Sequence, residues 1–96
     1  MSPDQNINLQ RDVEAALQEV IDPEIGGSIV EIGLIYGIES MDGVIQVTMT
    51  TTSRGCPATG FLVDAVRERV QATGLAEQVE VVLTYDPPWS PSMMRN

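Results

Sequence analysis

Histidine and lysine are both absent from this 96-residue chain, and cysteine occurs once, at Cys56. A single thiol makes no internal disulfide. With no histidine and no second thiolate, a structural zinc site of the usual Cys/His type is excluded. The chain also lacks a basic segment followed by an apolar run at its start, where MSPDQNINLQ is polar, so no secretory signal is expected. No apolar stretch approaches the ~20 residues needed to span a bilayer. A cytoplasmic protein is the expectation.

Positive charge is scarce. Five arginines stand against 14 acidic residues, for a net charge of −9. Nucleic-acid affinity comes largely from neutralising phosphates, so a nucleic-acid partner is not expected, and neither is an anionic membrane surface. The acidic balance reads either as a solvated face for solubility or as a docking surface for a basic partner.

What is present suits one domain, for which a core is feasible at this length without cross-links. Residues 1–8 read as a flexible N-terminal tail and 9–96 as a single domain with a proline-rich C-terminal tail. From Leu9, with Asn8 or Asp12 as cap, Val13, Ala16, Leu17, Val20 and Ile21 form one apolar helical stripe. Pro23, Gly26 and Gly27 end it. Asp42-Gly43 predicts a two-residue hairpin turn. The register that follows sets Met41 opposite Val44, Ile38 opposite Val47 and Tyr36 opposite Met49. Leu34, Tyr36, Ile38, Ile45, Val47 and Met49 then share one face, and Glu39, Gln46, Thr48 and Thr50 the other. A second helix is expected from Cys56-Pro57, with Leu62, Ala65, Val66, Val70 and also Phe61 on its apolar stripe and Gly74 closing it. Val79, Val81, Leu83 and Tyr85 alternate along a third strand. The fold class is α+β: a two-layer α/β sandwich of order α-β-β-α-β, with both helices on one face of a small mixed sheet.

Within TTSRGCPATG, residues 51–60, Cys56 stands at a strand-to-helix junction, at or next to the helix N-cap. Free N–H groups and the positive end of the helix dipole favour a thiolate there, and an inward Arg54 would add to this. The alternative is a small buried structural thiol. Asp22-Pro23-Glu24 either ends the first helix or rings a site as metal ligands or proton acceptors. Thr48, Thr50, Thr51, Thr52 and Ser53 read as strand residues, those at the strand end being able to hydrogen-bond a thiolate or a cluster sulfide. Trp89, Met93 and Met94 form an apolar patch that either packs over the sheet edge or serves as a partner-docking or dimer surface.

Four motifs in order carry a resemblance: Asp22-Pro23-Glu24; Ile29 through Tyr36 (IVEIGLIY); Thr50 through Pro57 (TTTSRGCP); and Asp86-Pro87-Pro88-Trp89. Over about residues 12 to 94 the chain closely resembles the DUF59, or MIP18-like, family of iron–sulfur assembly proteins. The resemblance implies an iron–sulfur assembly domain that carries clusters, or helps deliver them, to client proteins. It maps the family's cysteine to Cys56, its acidic loop to Asp22 and Glu24, and its hydroxyls to Thr51 and Thr52. Gly26-Gly27 replaces a more usual proline-containing turn, which predicts a looser acidic loop. A cysteine-rich C-terminal extension is missing, so the phenylacetate-accessory branch is not expected.

One thiolate does not hold a cluster alone, since clusters usually take four. The cluster is therefore expected to be transient and shared with a second subunit of a homodimer or with a client, with iron on Cys56 and assistance from Asp22 and Glu24. The expected partners are apo iron–sulfur clients and other assembly factors. A second reading is an interaction adaptor of the maturation machinery, with a structural Cys56 and no cluster of its own. A thiol enzyme is disfavoured, because a nucleophilic cysteine usually pairs with a histidine.

Overall fold

The computed structural model describes residues 3–55 and 57–95, with side chains from residue 8 onward; Cys56 lies outside the described residues. Helix α1 spans Pro3–Leu17, α2 Ile29–Ile32, strand β1 Ile35–Met41, β2 Val44–Met49, α3 Thr59–Ala72 and β3 Gln78–Leu83. The sheet order is β1-β2-β3, with β1 and β2 antiparallel and β2 and β3 parallel. Antiparallel neighbours need only the Asp42-Gly43 turn, whose φ values are +51° and +79°. A parallel pair needs a crossover, and α3 provides it.

One face of this mixed sheet is covered. Ile38, Ile45, Val47, Met49 and Val79 pack with Val13 and Leu17 of α1 and with Leu62, Val66 and Val70 of α3 in a single core. The two-layer α+β expectation with both long helices on one face therefore holds. Among the described residues no helix is long and apolar enough to cross a membrane.

Several details differ from the sequence reading. Helix α1 is helical from Pro3, inside the segment read as a tail. Proline at a first helical position costs no hydrogen bond, and the polar residues Asp4, Gln5, Asn6 and Asn8 offer no apolar periodicity to reveal it. The helix ends at Leu17, where Val20 N–H turns back to the Leu17 carbonyl at 3.0 Å. This tighter last turn keeps Val20 in the core but leaves Ile21 49% exposed.

Residues 29–32, to which no element was assigned from sequence, form a helical turn. Ser28 caps it, its Oγ accepting from Val30 N–H, and Gly33 ends it in the left-handed region at φ +91°. A β-bulge between Ile35 and Gly37 sets Ile35, not Tyr36, opposite Met49. Tyr36 thereby leaves the core face, and its hydroxyl donates to the Pro87 carbonyl at 2.8 Å. Helix α3 begins at Thr59 with Ala58 as N-cap, later than Cys56-Pro57, and Phe61 is 63% exposed. Gly74, at φ +71°, follows its end as expected.

The proline-rich tail is fastened to α1, α2 and β1. Trp89 Nε1–H donates to the Ile32 carbonyl at 2.8 Å, Arg95 N–H donates to the Glu31 carbonyl at 2.8 Å, and Arg95 pairs with Glu14 at 3.0 Å. Trp89 also packs against the core. The Trp89–Met94 segment thus covers one end of the fold, although Met94 stays exposed.

Gly33 is where this tail comes closest. A Cβ there would collide with the Met93 carbonyl oxygen, whereas one at Gly26, also at positive φ, would meet nothing. Gly33→Ala adds an overpacking cost of about 1–3 kcal/mol to a left-handed backbone cost of about 1–2 kcal/mol, and Gly26→Ala carries the backbone cost alone. Urea unfolding of the two variants is expected to rank Gly33→Ala as clearly the more destabilised.

Candidate functional site

Parallel strands β2 and β3 end on the same side of the sheet, where ligand sites of α/β sheets commonly form. The chain leaving β2 carries Thr50 to Gly55; the chain leaving β3 carries Thr84 and Tyr85. Thr84 N–H donates to the Met49 carbonyl at 2.9 Å, which holds the two exits together. Thr51 is buried. Its hydroxyl donates to the Ser53 carbonyl at 2.8 Å and lies 2.7 Å from the Tyr85 hydroxyl. Because Thr51 has one hydroxyl proton and spends it on Ser53, Tyr85 is the donor between them. The Arg54 guanidinium stacks 5.0 Å from the Tyr85 ring centroid, within cation–π range. Tyr85 and Arg54 thus fix the shape of the loop that runs on towards Cys56.

The acidic loop follows α1. Asp22 is only 2% exposed. Its Oδ1 accepts from Glu24 N–H at 2.7 Å and weakly from Ile25 N–H at 3.4 Å. Its backbone closes the same turn: Asp22 N–H donates to the Gly27 carbonyl at 2.9 Å and Gly26 N–H to the Asp22 carbonyl at 2.7 Å. The glycine pair therefore does not loosen this loop. Gly26 supplies the φ of +88° at which these bonds close. Asp22 serves its own loop, while Glu24 reaches across: Thr52 Oγ1 donates to Glu24 Oε2 at 3.3 Å.

The residues singled out from sequence separate accordingly. Glu24 and Thr52 are in contact, and Thr51, which precedes Thr52 in the chain, is buried against Tyr85. Asp22 supports Glu24 from within the loop. Thr50 is buried with its hydroxyl on the Thr51 carbonyl, and Thr48 lies on the uncovered sheet face. Cys56, the proposed centre, is outside the described residues, as is any geometry relating it to Asp22 or Glu24. Tyr85 carried no sequence signal for a role at the site, because it continues the alternation of Val79, Val81 and Leu83 and reads as a core residue. Thr59 at the start of α3 was likewise not singled out; its Oγ1 is buried with no hydrogen-bond partner among the described residues.

Comparison with known proteins decides the family. A family model described as iron–sulfur cluster assembly protein matches residues 10–83. The chain belongs to the iron–sulfur cluster assembly protein family. It is 37% identical over 87 residues to the Fe-S protein maturation auxiliary factor YitW of Bacillus subtilis, covering 90% of this chain and 85% of that protein. It is 36% identical over 89 residues to a Fe-S protein maturation auxiliary factor of Porphyromonas gingivalis, covering 92% and 85%. The crystal structure of a DUF59 domain from Bacillus anthracis superposes with a TM-score of 0.92 at 32% identity, over 99% of this chain and 92% of that one. The family assignment made from the four motifs holds, and so does the fold it implied.

Among the described residues no group of three His, Cys, Asp or Glu side chains converges. A cluster usually takes four ligands, so these described residues alone would not complete one.

Asp22→Ala removes the acceptor for two loop N–H groups and is expected to destabilise by about 1–3 kcal/mol, whereas Asp22→Asn keeps a carbonyl acceptor and costs less. Thermal unfolding of both variants checks the order. Tyr85→Phe loses the bond to Thr51 but keeps the ring under Arg54, for an expected cost of about 1 kcal/mol in the same measurement.

Proposed function

We propose that this protein is an iron–sulfur maturation factor that receives a cluster, holds it briefly and passes it to an apo client. The observation that carries this reading is the Glu24–Thr52 hydrogen bond, which ties the acidic loop to the hydroxyl-rich chain running into Cys56. In this reading Cys56 is the thiolate on iron. Thr51 and Thr52 line the approach to it, Glu24 stands by as a carboxylate donor, and Asp22 keeps Glu24 in position.

The cluster is cargo. With one cysteine in the chain, the remaining ligands come from a second copy, from other assembly factors or from the client itself. A cluster held by few ligands is readily released, which suits delivery. No substrate is turned over, in keeping with the names of the relatives, which are auxiliary factors. The protein acts in the cytoplasm, where its clients are made.

Anaerobic reconstitution with iron and sulfide tests this directly. Wild type is expected to develop the visible absorption of a bound cluster and to activate an apo iron–sulfur enzyme. Cys56→Ser is expected to lose both, while Glu24→Gln slows transfer without abolishing binding. A Cys56→Ser protein that still supports enzyme maturation in a deletion strain would instead make the chain an adaptor with a structural thiol.

A further inference from the structure

The sheet face opposite the helices is uncovered, and it changes character along its length. At one end a cavity of about 800 Å³ is lined by Tyr36, Thr48, Val82, Pro87 and Met93, with Asp86 on its wall. That volume lies within the roughly 300–1,000 Å³ of pockets that take an apolar group. Val82 is 40% exposed there. The strand register places the next row beside it: Thr48 pairs with Val82, and two residues along, Glu39, Gln46 and Glu80 stand side by side. A second depression of about 320 Å³ continues over Glu39, Gln46 and Glu80 to Asp42 and the exposed Met41.

Arg95 is the one cation among the residues lining these two depressions, and Glu14 already holds it. The two carboxylates of the Glu39–Gln46–Glu80 row have no ion-pair partner among the described residues.

We propose that this face docks an extended, basic segment of a partner protein, with an apolar side chain in the Tyr36–Val82–Met93 cavity and an arginine or lysine over Glu39 and Glu80. Two properties select that occupant. Rows two residues apart are roughly 7 Å apart along a strand, which is also the spacing of same-side side chains in an extended peptide. An apolar residue in the cavity therefore sets the side chain two positions on over the carboxylates. Charge complementarity supplies the rest: the face is acidic and the chain carries −9. Self-association through it would set Glu39, Asp42 and Glu80 against their own copies. Phosphate-bearing surfaces are repelled for the same reason.

The surface shares no residue with the Glu24–Thr52 site, so peptide binding and cluster transfer fail or succeed separately. The probe is a fluorescein-labelled serine-rich peptide carrying one leucine, with arginines two and four positions further on. Its binding to the full chain is followed by anisotropy and by amide shifts in nuclear magnetic resonance. Saturable binding is expected, with shifts on β1, β2, β3 and the 86–93 segment. Affinity should fall about tenfold or more in Glu39→Lys/Glu80→Lys, and be lost in Val82→Asp. The two glutamates are exposed, so the double variant should keep the wild-type melting curve. A peptide with glutamates in place of the arginines should not bind. The proposal is overturned by absence of binding, by affinity unchanged in Glu39→Lys/Glu80→Lys, by shifts confined to other surfaces, or by a dimer in sedimentation that the double variant alters.

Discussion

Parallel pairing of β2 with β3 is the constraint on which the rest of the molecule depends. It requires a crossover, and α3 can make that crossover only by laying Leu62, Val66 and Val70 on the sheet face that Ile45, Val47 and Met49 present. It also sends both outgoing chains off the same end of the sheet. Thr51 and Tyr85 are 34 positions apart, yet they meet because the strands before them run side by side in the same direction. An antiparallel arrangement would have carried Tyr85 to the far end.

The other half of the site depends on a turn rather than on the sheet. Asp22 uses its side chain and backbone to close the loop after α1, and that closure leaves Glu24 facing Thr52. The two residues of the acidic motif therefore do different jobs. One is buried and structural, while the other reaches the chain that leads to Cys56.

The surface ion pairs add little to this scaffold. Arg67–Asp64 and Arg69–Glu19 are exposed on both sides, and such pairs contribute about 0–1 kcal/mol. The tail does more, because Trp89 fills the end of the core and satisfies the Ile32 carbonyl at the end of α2. Gly33 permits that approach, so the short helix and the tail are coupled through one residue without a side chain.

By itself the sequence determined the long helices, the hairpin, most of its register and the family. Apolar periodicity and turn chemistry are local, and Asp42-Gly43 needs no distant partner to turn the chain. The candidate residues Asp22, Glu24, Thr51, Thr52 and Cys56 were likewise legible, through four short motifs in order. The tertiary structure alone decided what Asp22, Glu24, Thr51 and Thr52 touch. Tyr36 follows the strand alternation in sequence but is lifted off the core face by a bulge, because its hydroxyl finds Pro87 from the far end of the chain. Tyr85 alternates like a core residue but closes the loop through Thr51. Asp22 and Glu24 look equivalent but are separated by burial. In each case the deciding partner is supplied by packing of segments distant in the chain, and no local pattern records where such a partner comes to rest.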